Sequence, residues 1–393
     1  MRNWRFKTHT KLLYTLILVG IGSSCSIKTD LTRNNDCSAE AQKDFNYEIK
    51  LHYSQQLIIN NKDKYKDVIV LNPLSTDTLA HYIVALHDTQ LPDSILTNQQ
   101  VIRVPIQSIV CMSASHVGAL EVLGLQKHLI GATFINGLWD THINDRIAKG
   151  FIKEVGRGMG NSEEQIITLQ PDLVTKNDHS KDVNEEELYK IGINTLFYND
   201  WREVDLLGRA EWMKLVGLLF CKSQLADSIF TSTEHRYNAI KALAATAPSK
   251  PTVFVARDYR GVWFLPGNGS YIPSMIKDAH AHIKTLDGKS TSLPCSFEKA
   301  FQDHYQDDIW LSLKGGTTQT LEEFANESDH YAKFKAFQNG QVYFNNNRVK
   351  PNGGNDFWES GSYYPDIILQ DLVKIIHPEL LPNYQTYYWR QLN

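Results

Sequence analysis

The spacing of apolar positions divides the chain into stretches of different period. Residues 12–21 form a mostly apolar run of ten behind a basic start of Arg2, Arg5, Lys7 and Lys11. Crossing a bilayer takes about 20 apolar residues, so this run reads as a signal sequence. Residues 26–45 are polar and lack periodicity, as a flexible tether would. Strand-like patterns follow at 47–51, 68–71 and 82–86, predicting a small antiparallel extension over 46–100.

From residue 101 short apolar runs alternate with helical spacing. Strands are predicted at 108–112, 129–133, 172–175 and 194–198, with helices at 117–125, 163–169 and 185–191. The logic returns with strands at 252–256, 308–313 and 341–345 and helices at 272–279, 297–301, 321–325, 332–338 and 364–376. Such alternation makes βα units around a parallel sheet. Between the two series, helical spacing runs over 206–220 and again over 223–246, ended by Pro248 and Pro251. The expected fold is α/β: two Rossmann-like lobes joined by a single long α-helix, with a small N-terminal β extension. The expected boundaries are 1–24 signal peptide, 25–45 lipid-anchored tether and 46–100 extension. The N-terminal lobe would span 101–205, the connecting helices 206–247 and the C-terminal lobe 248–393.

The net charge of −4, from 40 basic and 44 acidic residues, argues against nucleic-acid binding, which needs a positive field. Aromatic residues make up 11%, enough both to fill cores and to line a pocket for a large planar or apolar ligand. Of the five cysteines, Cys25 follows Gly22-Ser23-Ser24. The segment resembles a bacterial lipobox with Gly22 in place of the usual leucine. Cys25 would then be lipidated, and lipid would be the only membrane anchor. Cys111 and Cys221 sit in apolar runs and read as small buried hydrophobes, while Cys37 and Cys295 form no recognisable disulfide framework. Gly156-Arg157-Gly158-Met159-Gly160 lacks the glycine that a GxGxxG loop needs at position 161, and it precedes rather than follows a strand. With no P-loop, GxSxG or HExxH sequence either, no enzyme is expected.

Two matching segments carry more weight. Ser162-Glu163-Glu164-Gln165-Ile166 precedes Pro171-Asp172-Leu173-Val174, and Ser296-Phe297-Glu298-Lys299-Ala300 precedes Asp308-Ile309-Trp310-Leu311. Each is a polar cap, an acidic first helical turn, a short helix and a strand; the helix dipole alone favours a glutamate there. With Ile109-Val110-Cys111-Met112-Ser113, Leu207-Gly208-Arg209-Ala210-Glu211-Trp212, Pro266-Gly267-Asn268-Gly269-Ser270-Tyr271 and Asn355-Asp356-Phe357-Trp358-Glu359-Ser360-Gly361, the order of motifs over 101–385 is similar to one family. The chain resembles the lipoprotein subgroup of periplasmic binding proteins for ferric siderophores, haem and cobalamin, whose two lobes share one backbone helix. The resemblance implies a substrate-binding subunit of an ABC importer, periplasmic and lipid-anchored at Cys25. Its partners would be an ABC permease with its ATPase and a small-molecule metal chelate, with no intrinsic cofactor. It also implies that Glu164 and Glu298 dock into basic pockets of the permease.

Open α/β sheets bind ligands beyond the carboxyl ends of their strands. That rule selects Ser113, Ser115, His116, Phe134, Asn136, Trp139, Asn177, His179 and Trp201 in the first lobe. In the second it selects Arg257, Tyr259, Trp263, Tyr271, Asn347 and Arg348, with Trp358 at the rim. Ser113 and Ser115 are equally helix caps, His116 is more a capping or core histidine than a ligand contact, and Arg257 is equally the partner of Asp258 or another acid. Two rivals to the chelate importer remain. A zinc or manganese importer subunit could use His116, His179, His280 and His282. A ligand sensor on the same fold is the other.

Overall fold

The computed structural model describes residues 39–73, 75, 77–156, 163–178, 183–313 and 316–393. Cys25, Cys37, His179, the signal sequence and most of the 156–160 glycine run lie outside the described residues.

Four strands form a first sheet: β1 (Leu57–Asn61), β2 (Lys66–Leu71), β3 (Thr78–Leu86) and β4 (Gln100–Val104). The first three are antiparallel, but β4 lies parallel to β3 after a crossover through the helix Asp93–Asn98. The next sheet holds β5 (Ile109–Cys111), β6 (Leu129–Ala132), β7 (Lys153–Glu154), β8 (Leu173–Lys176) and β9 (Asn194–Phe197). Its order is β7-β6-β5-β8-β9 and every pair is parallel. The second lobe contributes β10 (Thr252–Val255), β11 (Arg257–Tyr259), β12 (Val262–Leu265), β13 (His282–Ile283), β14 (Leu293–Cys295), β15 (Ile309–Ser312), β16 (Val342–Phe344) and β17 (Arg390–Gln391). The main sheet runs β13-β10-β15-β16-β17, parallel except for β17, while β11-β12-β14 form an antiparallel side unit. The inner strands β5, β8 and β15 are buried at every residue, as parallel strands covered on both faces must be.

The helix Ser223–Ala244 joins the lobes; its 22 residues span about 33 Å. It packs along the helix Pro365–Ile376 and the helix Met213–Leu219. One continuous apolar core runs from the first sheet through the first lobe and this helix into the second lobe. A separate aromatic layer sits in the second lobe, where Phe254 stacks on Phe334 at 5.2 Å and Trp263 meets Tyr331 edge-on at 5.7 Å.

Two expectations about the extension are corrected. Residues 39–45 are a helix, Ala39–Phe45, rather than loose tether. Ala41 and Phe45, one turn apart, are buried, and Asp44 accepts the Ser223 and Gln224 N–H groups at 2.6 and 3.1 Å, capping the long helix. Residues 47–51 do not form a strand. Their alternation buries Ile49 in the core, and the backbone that follows bonds to side chains instead of a neighbouring strand. His52, Tyr53 and Ser54 donate their N–H groups to Glu211 at 2.8, 2.8 and 2.9 Å. Gln55 and Gln56 donate theirs to Glu203, which also takes the Trp212 indole N–H at 2.9 Å. Glu203 and Glu211 are fully buried, so each carboxylate depends on these donors to offset its lost hydration.

Glu211→Ala removes the shared acceptor of three backbone N–H groups and one of the two carboxylates facing Lys214. The expected loss is about 3–5 kcal/mol in urea unfolding. A loss below about 1 kcal/mol would mean that the extension is held by apolar packing alone.

Candidate functional site

The carboxyl ends of both parallel sheets open onto one cleft of about 440 Å³, within the range of small-molecule sites. Strand order reverses at β5/β8 in the first sheet and at β10/β15 in the second. Crevices form at such points because successive connections leave on opposite faces. Ser113 and Ser115 follow β5, Asn177 follows β8 and Trp201 follows β9. From the opposite lobe come Arg257 after β10, Tyr271 opening the helix Tyr271–Asp278, and Trp358.

Local geometry decides several roles. Ser113 sits at the N-cap of the helix Ala114–Val122, yet its side chain makes no capping bond and lies 3.2 Å from Ser115 Oγ. Ser115 Oγ donates to Asp200 at 2.9 Å, and Asp200 faces Arg209 at 3.3 Å. Arg209 is 3% exposed; its Nη2 also donates to Ser362 Oγ at 2.9 Å, and its guanidinium lies 4.5 Å from the Tyr271 ring centre. Arg257 is exposed at the rim, donates to Ser292 Oγ at 3.2 Å and lies over Phe264. Asp258 turns away and accepts from Tyr331.

Other sequence candidates are corrected. His116 is buried between Thr175 Oγ1 and the Tyr198 carbonyl, 3.0 Å from each, and burial lowers its pKa; it is a core histidine. Trp263 is 1% exposed within the aromatic layer. Strand residues alternate between faces, so its neighbour Phe264 faces the cleft instead. Tyr259 is 60% exposed next to the β11–β12 turn and does not line the cleft. Phe134, Asn136, Trp139, Asn347 and Arg348 also lie away from it. Phe134 folds over Gly137 in a left-handed conformation, and the Asn136 carbonyl accepts from Asn352. Asn347 donates to the carbonyls of Thr386 and Tyr387, while Arg348 pairs with Asp356 and lies over Trp139 and Tyr387. Among the described residues no group of three or more His, Cys, Asp or Glu could hold a metal ion.

Glu164 and Glu298 are exposed, on the helices Glu163–Leu169 and Phe297–His304. Sequence reading missed Arg209, Phe264 and the hydroxyls of Ser290, Thr291 and Ser292. A signal for the first was present: Arg209, with Glu211 and Lys214, places charge inside a mostly apolar helical run.

Residues 109–349 match the periplasmic binding protein family model. The chain belongs to that family. Its members are substrate-binding components of ABC-type import rather than enzymes. A lipoprotein of Methanocaldococcus jannaschii is 25% identical over 351 residues, covering 85% of this chain and 80% of its own. A possible iron-binding periplasmic solute-binding protein of Staphylococcus epidermidis superposes with a TM-score of 0.55 at 18% identity, covering 70% of this chain and all of its own. The periplasmic haem-binding protein of Vibrio cholerae gives 0.55 at 17% identity, covering 70% and 99%. These structural likenesses share the two-lobed fold.

In this periplasmic binding protein a strap from the second half, residues 345–364, lies against the first lobe. Glu359 accepts the Trp139 N–H at 2.9 Å and the Asp140 N–H at 3.3 Å. The Trp139 indole donates to the Gly354 carbonyl at 3.2 Å, Lys350 bonds the Leu138 carbonyl, and the Tyr198 and Tyr363 hydroxyls meet at 2.8 Å. A Cβ on Gly354 would sit 2.2 Å from the Gly137 carbonyl oxygen, and one on Gly118 2.3 Å from that of Glu359. Only glycine permits so close an approach.

Burial pushes Glu359 up to about 7 against the opposing pull of the Trp139 and Asp140 N–H groups, with Asp356 adding repulsion, and burial pushes Glu121 up to about 8, with further repulsion from Glu359, Asp356 and Asp140. An acid whose folded pKa exceeds its unfolded value binds more protons when folded. Its contribution is therefore fully present below the unfolded pKa and lost as pH rises through the folded one. Thermal stability should fall between about pH 5 and pH 8. Glu121→Gln should raise the melting temperature at pH 8 by a few degrees and leave it nearly unchanged at pH 5. A pH-independent melting temperature over that window would contradict the assignment.

Proposed function

We propose that the cleft captures a ferric siderophore or a related iron chelate, with haem and cobalamin as neighbouring possibilities of the same class, and delivers it to an ABC permease and its ATPase. The observation that carries this reading is the composition of one cleft at both switch points. Hydroxyls of Ser113 and Ser115, the Asn177 amide, the faces of Trp201, Tyr271 and Trp358, and the guanidinium of Arg257 converge on a volume suited to a large polar-rimmed body. The cargo is a metal chelate or metal macrocycle that travels through, and the protein needs no cofactor of its own. Residues 1–24 act as a signal peptide, and the mature periplasmic protein is held to the membrane by lipid on Cys25. The permease engages Glu164 and Glu298, two separated exposed carboxylates that confer orientation and steering rather than large affinity. Closure on the cargo is small, because one long helix and the strap both resist bending of one lobe against the other.

Titration of tryptophan fluorescence with a panel of ferric siderophores, haem and cobalamin should give saturable quenching by at least one. Trp201→Ala should remove a large part of that quenching. A panel without any binder would sink the reading. In vesicles reconstituted with the permease and ATPase, Glu164→Lys and Glu298→Lys should each abolish cargo-stimulated ATP hydrolysis and leave cargo affinity within about twofold. Unchanged stimulation would remove the docking role from these two glutamates.

A further inference from the structure

Of the cations at the cleft, Arg209 is held in an unusual way. It comes from the helix Leu206–Glu211, whose residues are all buried, and reaches the cleft floor between the lobes. One terminal nitrogen is used twice, on Asp200 and Ser362, and the Tyr271 ring covers the guanidinium. Its Nε is fully buried and has no hydrogen-bond partner among the described residues. A buried donor without an acceptor is costly and rarely left so. Here it belongs to a side chain that lines the ligand cleft. Arg257 adds a second guanidinium from the other lobe, with no carboxylate within ion-pair distance among the described residues; its contacts are Ser292 and the Phe264 face. Among the described residues lining the cleft there is no Asp or Glu. Asp200 neutralises Arg209 from behind, which leaves the rim cation uncompensated and the floor with surplus donor capacity.

We infer that the cleft selects cargo bearing an oxyanion, a carboxylate or a comparably compact group, seated at Arg209 on the floor with a second anionic edge against Arg257. The inference rests on the chelate-importer reading and narrows it. A guanidinium offers fixed planar donors that match a carboxylate, and such charge-assisted bonds are strong in a desolvated site. A neutral cargo of the same size gains the aromatic and hydroxyl contacts but leaves the Arg257 guanidinium without a counter-charge. Discrimination of this kind, where a charged group of the site is left without its partner, exceeds what apolar shape alone delivers.

The test compares probes of defined charge on the full chain. Ferric citrate and haem carry carboxylates; a neutral ferric trihydroxamate and dicyanocobinamide, which lacks the phosphodiester of cobalamin, serve as cargo without an oxyanion. Binding is read by tryptophan quenching at low and high salt, together with the melting temperature. The expected result is that the best carboxylate-bearing probe binds at least about 10-fold tighter than the best probe without one. Arg257→Gln, at an exposed position, should narrow that gap and its salt dependence. Arg209→Gln should close the gap, and Arg209→Lys should restore part of it. If Arg209→Gln lowers the melting temperature sharply, the wild-type gap and Arg257→Gln carry the decision. Equal binding of charged and neutral probes by the wild type, or a gap unchanged in Arg257→Gln and in folded Arg209→Gln, overturns the charge selection while leaving the importer reading intact. Binding of no probe at all overturns the importer reading and this inference together.

Discussion

Buried charge in the short stretch that leads into the long helix organises the rest of the molecule. Glu203 and Glu211 face one way and gather the backbone of residues 52–56. Arg209 faces the other way onto the cleft floor, with Asp200 paired to it from behind. The same few turns of chain therefore fix the extension, the start of the connecting helix and the ligand-facing cation. All four groups are buried away from bulk solvent. Each carboxylate must be satisfied by protein donors, and the arrangement that does so is geometrically narrow. Lys214 continues the pattern, bonding the Lys50 carbonyl and facing Glu211 and Asp227. Removing one member leaves its neighbours as uncompensated charges, so the stretch behaves as a unit.

The parallel sheets were legible because their inner strands are buried on both faces and open on apolar runs, as in 109–111, 173–174 and 309–311. The connecting helix was legible from its spacing and its terminal prolines. The extension was harder. Its parallel β3–β4 pairing depends on a crossover helix of six residues with little apolar character. The side unit β11–β12–β14 was missed because two of its strands are three residues long and one contains Pro294. At the site, the rule of strand carboxyl ends found Ser113, Ser115, Asn177, Trp201 and Arg257 at the cleft lining. It failed wherever a side chain's face had to be known. Trp263 and Phe264 are adjacent, and only the register of β12 against its neighbours tells which one meets the cleft. Arg209 lies on no strand end at all; it is brought to the floor by tertiary packing of a helix.

Trp139 and Arg348 show a different kind of ambiguity. An aromatic side chain in a polar loop and an arginine after a strand are both good signatures of a binding surface. Here they bind each other, with the Arg348 guanidinium 4.7 Å from the Trp139 ring centre. The sequence reading assigned both to ligand binding; what they meet is the protein's own other half. The corrected residues thus mark a second lobe–lobe contact beside the cleft, built from backbone approach at glycines, buried acids and cation–aromatic pairs.

That strap has a consequence for biogenesis. The first lobe is completed by residues far later in the chain: Gly118 and Gly137 receive Glu359 and Gly354, more than 200 positions on, and Tyr198 receives Tyr363, 165 positions on. The segment just before the terminus is in turn pinned by Asp371, which accepts from Tyr384, Tyr387 and Tyr388. Contacts of such long sequence separation form late and slow the search for the native state. A chain that emerges N-terminus first therefore cannot close its first lobe until nearly all of it has emerged. It waits with the surfaces around Gly118, Gly137 and Tyr198 uncovered, a state in which dependence on holding factors and vulnerability to proteolysis are greatest.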